Sequence, residues 1–300
     1  MIDLRRVRYF VAVAEELHFG RAAQRLGMSQ PPLSQQLQAL EQDLGVRLLD
    51  RNKRQVALTE AGRLFLPEAR ALLVQAERAA SIAALAGRGE MGTLRVGFTE
   101  SAVLTGALPN LLSRFRGRYP AVAVQLTEQT SQQQIQSLVD KRTDVGFMRL
   151  PASGALPGEL EAQPLVSDPL VAVLPREHRL ASSGGALGVA ALADEPFVFF
   201  TPGAGTGVYN HVLNLCRSAG YAPRIAQEAR EVMTIAGLVA ARLGVSILPA
   251  SVRRLDVAGV VIRALREPEA ASKLWLAFRR EEASATGAAF WQLARQPDES

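Results

Sequence analysis

The stretch Ser29-Gln30-Pro31-Pro32-Leu33-Ser34-Gln35-Gln36-Leu37 predicts the start of a helix with one apolar and one polar side. Two prolines fit the first helical turn, because the backbone N–H groups there have no partner within the helix. Ser29 is a suitable N-cap, and Gly45 is suited to end the helix. Leucines at positions 33, 37, 40 and 44 form the apolar side. The polar side carries Gln30, Ser34, Gln35 and Gln38.

Two further helices are predicted before this stretch. Apolar residues recur at spacings of three and four over residues 4–17, and a shorter helix over residues 21–26 ends at Gly27. A helix, a glycine turn and a second helix are the plan of a helix-turn-helix, whose second helix presents its N-terminal residues to the bases of DNA. The spacing alone also allows two amphipathic helices that merely pack together.

The polar side of this helix and the segment after it carry groups that suit DNA. Glutamine can form two hydrogen bonds with adenine, and serine is permissive toward any base. A short hairpin is predicted over residues 46–58, and Arg54 at its tip is placed to enter a minor groove or bind phosphate. Arg47, Arg51 and Lys53 fit phosphate contacts, which add affinity without sequence information. The predicted DNA contacts are Gln30, Pro31, Pro32, Ser34, Gln35, Gln38, Arg51, Lys53 and Arg54.

A long helix is predicted from Thr59, which is a natural N-cap. Its apolar positions alternate steps of four and three, as in the seam of a coiled coil: Phe65, Ala69, Leu72, Ala76, Ala79 and Ala83. This pattern favours pairing with another chain, and the alternative is a helix that packs on its own domain. Pro67 is expected to kink or break the helix.

A glycine-rich linker over residues 87–92 separates this region from an alternation of strands and helices. The pattern predicts an α/β domain with mostly parallel strands. Strands are predicted at residues 94–98, 122–126, 143–148, 170–174, 197–200, 245–248, 260–265 and 274–278. Helices are predicted at about 105–118, 132–140, 207–219, 232–243 and 281–294.

Three strand ends in this domain run into polar loops before a helix, near residues 99–101, 129–131 and 201–207. Ligands of open α/β sheets bind at the carboxyl ends of strands, where helix N-termini favour anions. Hydroxyls there suit a small carboxylate, and Arg149 is either its charge partner or part of a structural ion pair. The glycines of residues 203–207 indicate an effector loop, since the Gly-Lys-Ser/Thr ending of a phosphate-binding loop is lacking.

Composition limits the other classes of function. The net charge of +5 weakly favours polyanionic partners, and no apolar run approaches the roughly 20 residues of a membrane span. The first residues contain no signal-peptide pattern, so we expect a cytoplasmic protein. One cysteine and three scattered histidines predict neither an intramolecular disulfide nor a zinc site. Catalytic motifs are lacking, so we expect no enzyme; the alternatives are an exported solute-binding protein and an architectural DNA binder.

The first sixty residues resemble LysR-type transcriptional regulators. The resemblance rests on residues 4–23, on Ser29 to Leu37, and on the pairs and runs Leu40-Glu41, Leu44-Gly45 and Leu58-Thr59-Glu60-Ala61-Gly62. It implies an α/β protein with an N-terminal winged helix-turn-helix (1–58), a dimerising linker helix (59–87), a hinge (88–92) and an effector domain of periplasmic-binding-protein fold (93–300). Lobe I of that domain would cover about 93–164 and 268–300, and lobe II about 165–267. Family members often carry arginine at the position of Gln35.

The second half also resembles the branch of this family that senses intermediates of aromatic catabolism, such as muconate. The resemblance implies effector contacts at Ser101, Ser131, Arg149, Thr201 and Pro202, and the polar loops at the strand ends add Thr99 and Thr130. Two positions differ in character: Glu100 would repel an anion unless it points away, and Val208 stands where some members have an aromatic residue. The implied partners are operator DNA, a small organic acid, a second copy through the linker helix, a homotetramer and RNA polymerase. Neither a membrane nor a cofactor is expected.

Overall fold

The computed structural model describes residues 2–51, 56–150, 156–182, 184–202, 207–281 and 283–296. The chain forms two compact units, Met1–Leu85 and Ala86–Ser300. Lys53, Arg54, the side chain of Arg51 and residues 203–206 of the predicted effector loop lie outside the described residues. In the described part, no helix is both long enough and apolar enough to cross a membrane.

The first unit contains three short helices, a pair of strands and a long helix. The elements are α1 (Leu4–Glu16), α2 (Phe19–Arg25), α3 (Gln30–Leu44), β1 (Leu49–Arg51), β2 (Val56–Leu58) and α4 (Glu60–Gly87). Strands β1 and β2 pair antiparallel. The order of these elements is that of a winged helix-turn-helix followed by a linker helix, as predicted.

The helix ends of this unit follow from the sequence. Gly27 and Gly45 have φ angles of 66° and 68°, a left-handed conformation that glycine adopts without strain. The Thr59 hydroxyl accepts a hydrogen bond from the Gly62 amide at 2.9 Å and caps α4. Ser29 precedes α3 as predicted, but its side chain makes no capping hydrogen bond.

One apolar core holds the first unit together. Leu33, Leu37 and Leu40 of α3 are buried against α1 and α2, which contribute Phe10 among others. Burying such a side chain stabilises a fold by about 1.5–3 kcal/mol. The ring of Phe65 in α4 lies 5.3 Å from that of Phe10, centre to centre, so the start of the linker helix belongs to this core.

The long helix α4 changes character along its length. It continues without a break through Pro67, contrary to one of the two outcomes expected for that residue. Ala69 is buried in the core of the unit. Farther along, Leu72, Val74 and Ile82 expose 40%, 65% and 41% of their surface. Within the predicted seam, Phe65 and Ala69 pack on the core of their own unit, and Ala76 is half-buried. Leu72, Ala79 and Ala83 are exposed.

The second unit mixes strands and helices along the chain. Its strands are β3 (Gly92–Phe98), β4 (Val122–Glu128), β5 (Val145–Met148), β6 (Leu160–Pro175), β7 (Pro196–Phe200), β8 (Arg224–Ala229), β9 (Ser246–Pro249), β10 (Val260–Ala264) and β11 (Ala271–Arg279). Its helices are α5 (Glu100–Leu104), α6 (Ala107–Arg118), α7 (Ser131–Val139), α8 (Gly207–Ser218), α9 (Val232–Ala240) and α10 (Ala285–Ala294). Short 3₁₀ helices span Val189–Leu192 and Ala250–Leu255.

The sheets of this unit are not mostly parallel, and that prediction was wrong. Among the described strands, β3 pairs parallel with β4 and β5, and β7 pairs parallel with β8. Strand β6 pairs antiparallel with β9, β10 and β11, and β11 pairs antiparallel with β5. The first half of β6 was not predicted because Pro164 and Pro169 interrupt its apolar pattern. Strand β8 was not predicted because it is exposed and lacks an apolar pattern.

The described part of the second unit contains two main apolar cores. The core around Phe115, Phe147 and Phe290 is called the Phe147 core, and the core around Phe197 and Ile235 is called the Phe197 core. The first half of β6 pairs with β11, and its second half pairs with β9 and β10 in the Phe197 core. Strand β6 therefore links the two cores directly.

Candidate functional site

Helix α3 turns a row of polar side chains away from its core. Its three central leucines are fully buried, whereas the predicted DNA contacts Gln30, Pro31, Pro32, Gln35 and Gln38 are exposed and Ser34 is half-buried. The prolines occupy the first turn of α3, where they remove no helical hydrogen bond. The exposed row lies at the N-terminal part of the helix, which is the part that a helix-turn-helix presents to DNA.

Ion pairs and backbone contacts fix the orientation of α3. Arg6 of α1 donates from Nε to the Gln36 side chain at 3.1 Å and pairs with Asp43 at 2.6 Å. Glu41 Oε1 accepts hydrogen bonds from the backbone amides of Leu48 and Leu49, at 2.9 and 3.1 Å. Glu41 thereby ties the exposed helix to the start of the strand pair, a role that the sequence pattern did not indicate.

His18 has a second unpredicted role, as the N-cap of α2. Its Nδ1 accepts hydrogen bonds from the amides of Gly20 and Arg21 at 3.1 and 3.2 Å. An imidazole nitrogen accepts only when it carries no proton, so the cap fixes the tautomer of His18. A side chain at Gly20 would place its Cβ 3.0 Å from the His18 ring, so the glycine makes room for this cap.

The second unit contains a cavity of about 510 Å³ at the ends of its strands. It brings together all seven predicted effector contacts: Thr99, Ser101, Thr130, Ser131, Arg149, Thr201 and Pro202. Ten further residues complete the wall: Glu100, Glu128, Gln129, Gln133, Phe200, Val208, Arg230, Glu231, Val232 and Pro249. The wall therefore draws on loops beside both apolar cores.

Hydroxyl groups at the ends of β3 and β4 are held by local hydrogen bonds. The Thr99 and Ser101 hydroxyls lie 3.0 Å apart. Thr130 forms a capping box with Gln133: its hydroxyl accepts from the Gln133 amide at 3.2 Å, and the Gln133 side chain accepts from the Thr130 amide at 3.0 Å. The Ser131 hydroxyl accepts from the Arg149 amide at 3.2 Å. These contacts make the N-terminus of α7 a rigid part of the cavity wall.

Arg149 is buried and engaged within the protein, with 4% of its surface exposed. It donates from Nε to the Ser101 hydroxyl at 3.0 Å and from Nη1 to the Ser272 hydroxyl at 2.6 Å, and Nη2 pairs with Asp168. Burial lowers the pKa of the Arg149 guanidinium, and the Asp168 carboxylate opposes this change. Of the two roles left open for Arg149, the structure contains the ion pair.

Asp168 also anchors the neighbouring segment. Its carboxylate accepts hydrogen bonds from the Ser251 amide at 2.9 Å and from the Ser251 hydroxyl at 2.7 Å. The Arg149–Asp168 pair therefore joins the end of β5, the middle of β6 and the turn after β9. This network of charged and hydroxyl groups supports the floor of the cavity.

Three carboxylates line the cavity, and Glu100 is the most enclosed of them. Its Oε2 accepts a hydrogen bond from the Val232 amide at 3.2 Å, so the start of α5 beside the Phe147 core contacts the start of α9 in the Phe197 core. Burial raises the pKa of Glu100 to about 7, and Glu231 and Glu128 add to the rise while the Val232 amide opposes it. Glu100 therefore faces the cavity, which is the arrangement in which the sequence predicts that it repels an anion.

Comparison with known proteins assigns both units. Residues 4–63 match the model of the bacterial regulatory helix-turn-helix protein of the lysR family, and residues 87–297 match that of the LysR substrate binding domain. The chain is 49% identical to the uncharacterized HTH-type transcriptional regulator YnfL of Escherichia coli (strain K12), over 92% of this chain and 91% of that protein. It is 37% identical to the HTH-type transcriptional regulator AlsR of Bacillus subtilis (strain 168), over 93% and 91%.

Solved structures agree with this assignment. The LysR family transcriptional regulator CbnR has a TM-score of 0.83 at 31% identity, over 98% of this chain and 100% of that chain. CbnR in complex with its target DNA has a TM-score of 0.81 at the same identity, over 98% and 99%. The matching proteins are regulators, which confirms the prediction that the chain is not an enzyme. The chain belongs to the LysR family of DNA-binding transcriptional regulators, whose activity is controlled by an effector.

Proposed function

We propose that this regulator responds to a small carboxylate-bearing effector, such as an intermediate of aromatic degradation, that binds in the 510 Å³ cavity. The observation that carries the proposal is the N-terminus of α7, where the Thr130 and Ser131 hydroxyls line the cavity beside the first amides of the helix. Helix N-termini attract anions through their free N–H groups and their dipole. The volume is within the range of small-molecule sites, and Phe200 and Val208 supply apolar wall for a carbon skeleton.

Effector binding would act through the arrangement of the two cores. The cavity wall includes Ser131 from one side and Thr201 and Pro202 from the other, so a bound acid would bridge them. A ligand that binds one arrangement more tightly shifts the population toward it. In an oligomer, such a shift would change how the reading helices are presented to DNA.

The DNA-bound form is proposed to be a homotetramer built from dimers. The seam residues Leu72, Ala79 and Ala83 leave an apolar stripe of α4 exposed, which a second copy of α4 would cover. Helix α3 would enter the major groove with Gln30, Ser34 and its neighbours facing the bases, and the basic residues near Arg51 would contact phosphate. The regulator would act in the cytoplasm, at a promoter where RNA polymerase is its further partner.

Thermal unfolding of the full chain tests the effector class. Benzoate, its amino and hydroxy derivatives and uncharged benzamide form a matched panel. An acid present at about 100 times its dissociation constant is expected to stabilise the second unit by about 2.7 kcal/mol, and benzamide is expected to have no effect. Stabilisation by benzamide alone, or by none of the panel, would contradict the proposal.

A pair of serine variants locates the binding. Ser131→Ala removes a hydroxyl from the cavity wall and is expected to weaken the binding of the acid about tenfold, which corresponds to a loss of about 1.4 kcal/mol in binding free energy. Ser218→Ala makes the same change at an exposed position of α8 and should leave binding unchanged. Equal binding by both variants would place the acid elsewhere.

A further inference from the structure

The charged residues on the cavity wall do not favour an effector whose only polar group is a carboxylate. Two arginines and three glutamates line the cavity. Arg149 is already paired with Asp168, a buried carboxylate behind the wall, so its charge is compensated within the protein. Arg230 is exposed and adjoins Glu231 in the chain. The wall is therefore net negative around Glu100, although its hydroxyls and the N-terminus of α7 favour a carboxylate.

Glu100 has acceptor capacity that the protein does not fill. Its Oε2 receives one hydrogen bond from the Val232 amide, and no lysine, arginine or histidine of the described chain forms a salt bridge with it. The groups that face it from neighbouring elements are Glu231 at the start of α9, whose side chain is within hydrogen-bonding reach of Glu100, and Glu128 at the end of β4; both are acceptors when ionised. A carboxylate has four acceptor positions, so this one is built to receive donors from a ligand.

We infer that the effector carries a single carboxylate together with a separate hydrogen-bond-donating group, an ammonium or a hydroxyl, and that Glu100 selects for this second group. This inference rests on the proposed function and narrows it. An ammonium or hydroxyl would donate to Glu100, while a second carboxylate would meet Glu100, Glu128 and Glu231. Amino acids and hydroxy acids would therefore bind, and dicarboxylates of the same skeleton would be rejected.

Two matched series of acids test the inference by calorimetry on the full chain. The aliphatic series is γ-aminobutyrate, γ-hydroxybutyrate, butyrate and succinate. The aromatic series is para-(aminomethyl)benzoate, para-(hydroxymethyl)benzoate, benzoate and terephthalate. Titrations at about pH 8 keep Glu100 mostly ionised, because its pKa is about 7. Within at least one series, the ammonium-bearing acid should bind ten- to a hundred-fold more tightly than the dicarboxylate, since opposite and like charges at one site differ by at least that factor.

Substitutions assign the preference to Glu100. Glu100→Gln removes the charge with little change of shape and should abolish the preference for the ammonium-bearing acid over the dicarboxylate. Glu161→Gln makes the same change at an exposed residue of β6 outside the cavity and should leave the preference intact. If Glu100→Gln folds poorly, Glu231→Gln provides a second test, because it removes the neighbouring charge and should reduce the preference.

The possible results separate the inference from the proposed function. Carboxylates that bind with no preference, a dicarboxylate that binds most tightly, or a preference that survives Glu100→Gln would overturn the inference and leave the carboxylate site standing. Binding of no acid from either series would overturn the proposed function, and the inference with it.

Discussion

The reading helix and the cavity use polar side chains in opposite ways. In the part of the chain that the structure describes, Gln30, Gln35 and Gln38 of α3 are exposed, and their side chains form no hydrogen bond within the protein. The cavity residues Ser131 and Arg149, by contrast, are buried and bonded to their neighbours. A surface that meets DNA keeps its donors and acceptors free for the bases, whereas a cavity needs its polar groups fixed before the ligand arrives.

Disturbing the buried network behind the cavity should cost more stability than disturbing an exposed ion pair. Asp168→Ala leaves the Arg149 guanidinium buried without its counter-charge, and breaking a buried ion pair in this way costs about 3–5 kcal/mol. Urea unfolding of the full chain measures the loss. Asp140→Ala is the matched control, because it breaks the exposed Arg142 pair and should cost at most about 1 kcal/mol. Equal losses would show that the buried network does not stabilise the second unit.

Glu41→Ala should have the next largest effect, and it tests how the exposed surface of α3 is held in place. The substitution leaves the amides of Leu48 and Leu49 without their acceptor, and hydrogen bonds to a charged group contribute about 1.5–3 kcal/mol. We expect a loss of about 2 kcal/mol in urea unfolding and weaker DNA binding. Glu41→Gln keeps one acceptor oxygen and should lose less of both. A stable variant with unchanged DNA affinity would mean that Glu41 does not connect α3 to the strand pair.

Gln30→Ala tests the role of the exposed side chains of α3 in DNA binding. Because Gln30 is exposed, its loss should leave stability nearly unchanged, but it should reduce discrimination at one base pair by about 1–3 kcal/mol. Lys53→Ala is the contrasting variant: it should weaken all DNA sequences alike and lower the slope of affinity against salt by about one unit. Anisotropy titrations with matched and mismatched operators measure both effects. A change of specificity in Lys53→Ala alone would reverse the proposed roles.

The two regions also differ in how far the sequence predicted them. The periodicity of Leu33, Leu37 and Leu40 placed α3 and its exposed row, because a helix determines its faces by local spacing alone. The seven predicted effector contacts follow strand ends, and they line one cavity. The antiparallel course of β6 is not predicted, since pairing between distant strands leaves no local pattern. The sequence does not identify the partner of Arg149 for the same reason. Asp168 lies 19 residues away along the chain, and no motif marks it as an ion-pair partner.

The smallest predicted effect is a pH dependence of the protein's stability that arises from one cavity residue, Glu100. The pKa of Glu100 is raised from 4.5 to about 7, so the folded protein binds this proton more tightly than the unfolded chain. Stability should therefore fall as the pH rises from about 4.5 to about 7, and stay low above it. Solvent screening at this half-buried carboxyl limits the effect to the order of 1 kcal/mol. Glu100→Gln does not titrate, so the variant should match the wild type near pH 4 and exceed it near pH 8 in melting temperature. A constant difference in melting temperature between the two proteins across this window would contradict the raised pKa. A dependence of the opposite sign would mean that the Glu100 carboxylate pairs with a cation in the folded protein.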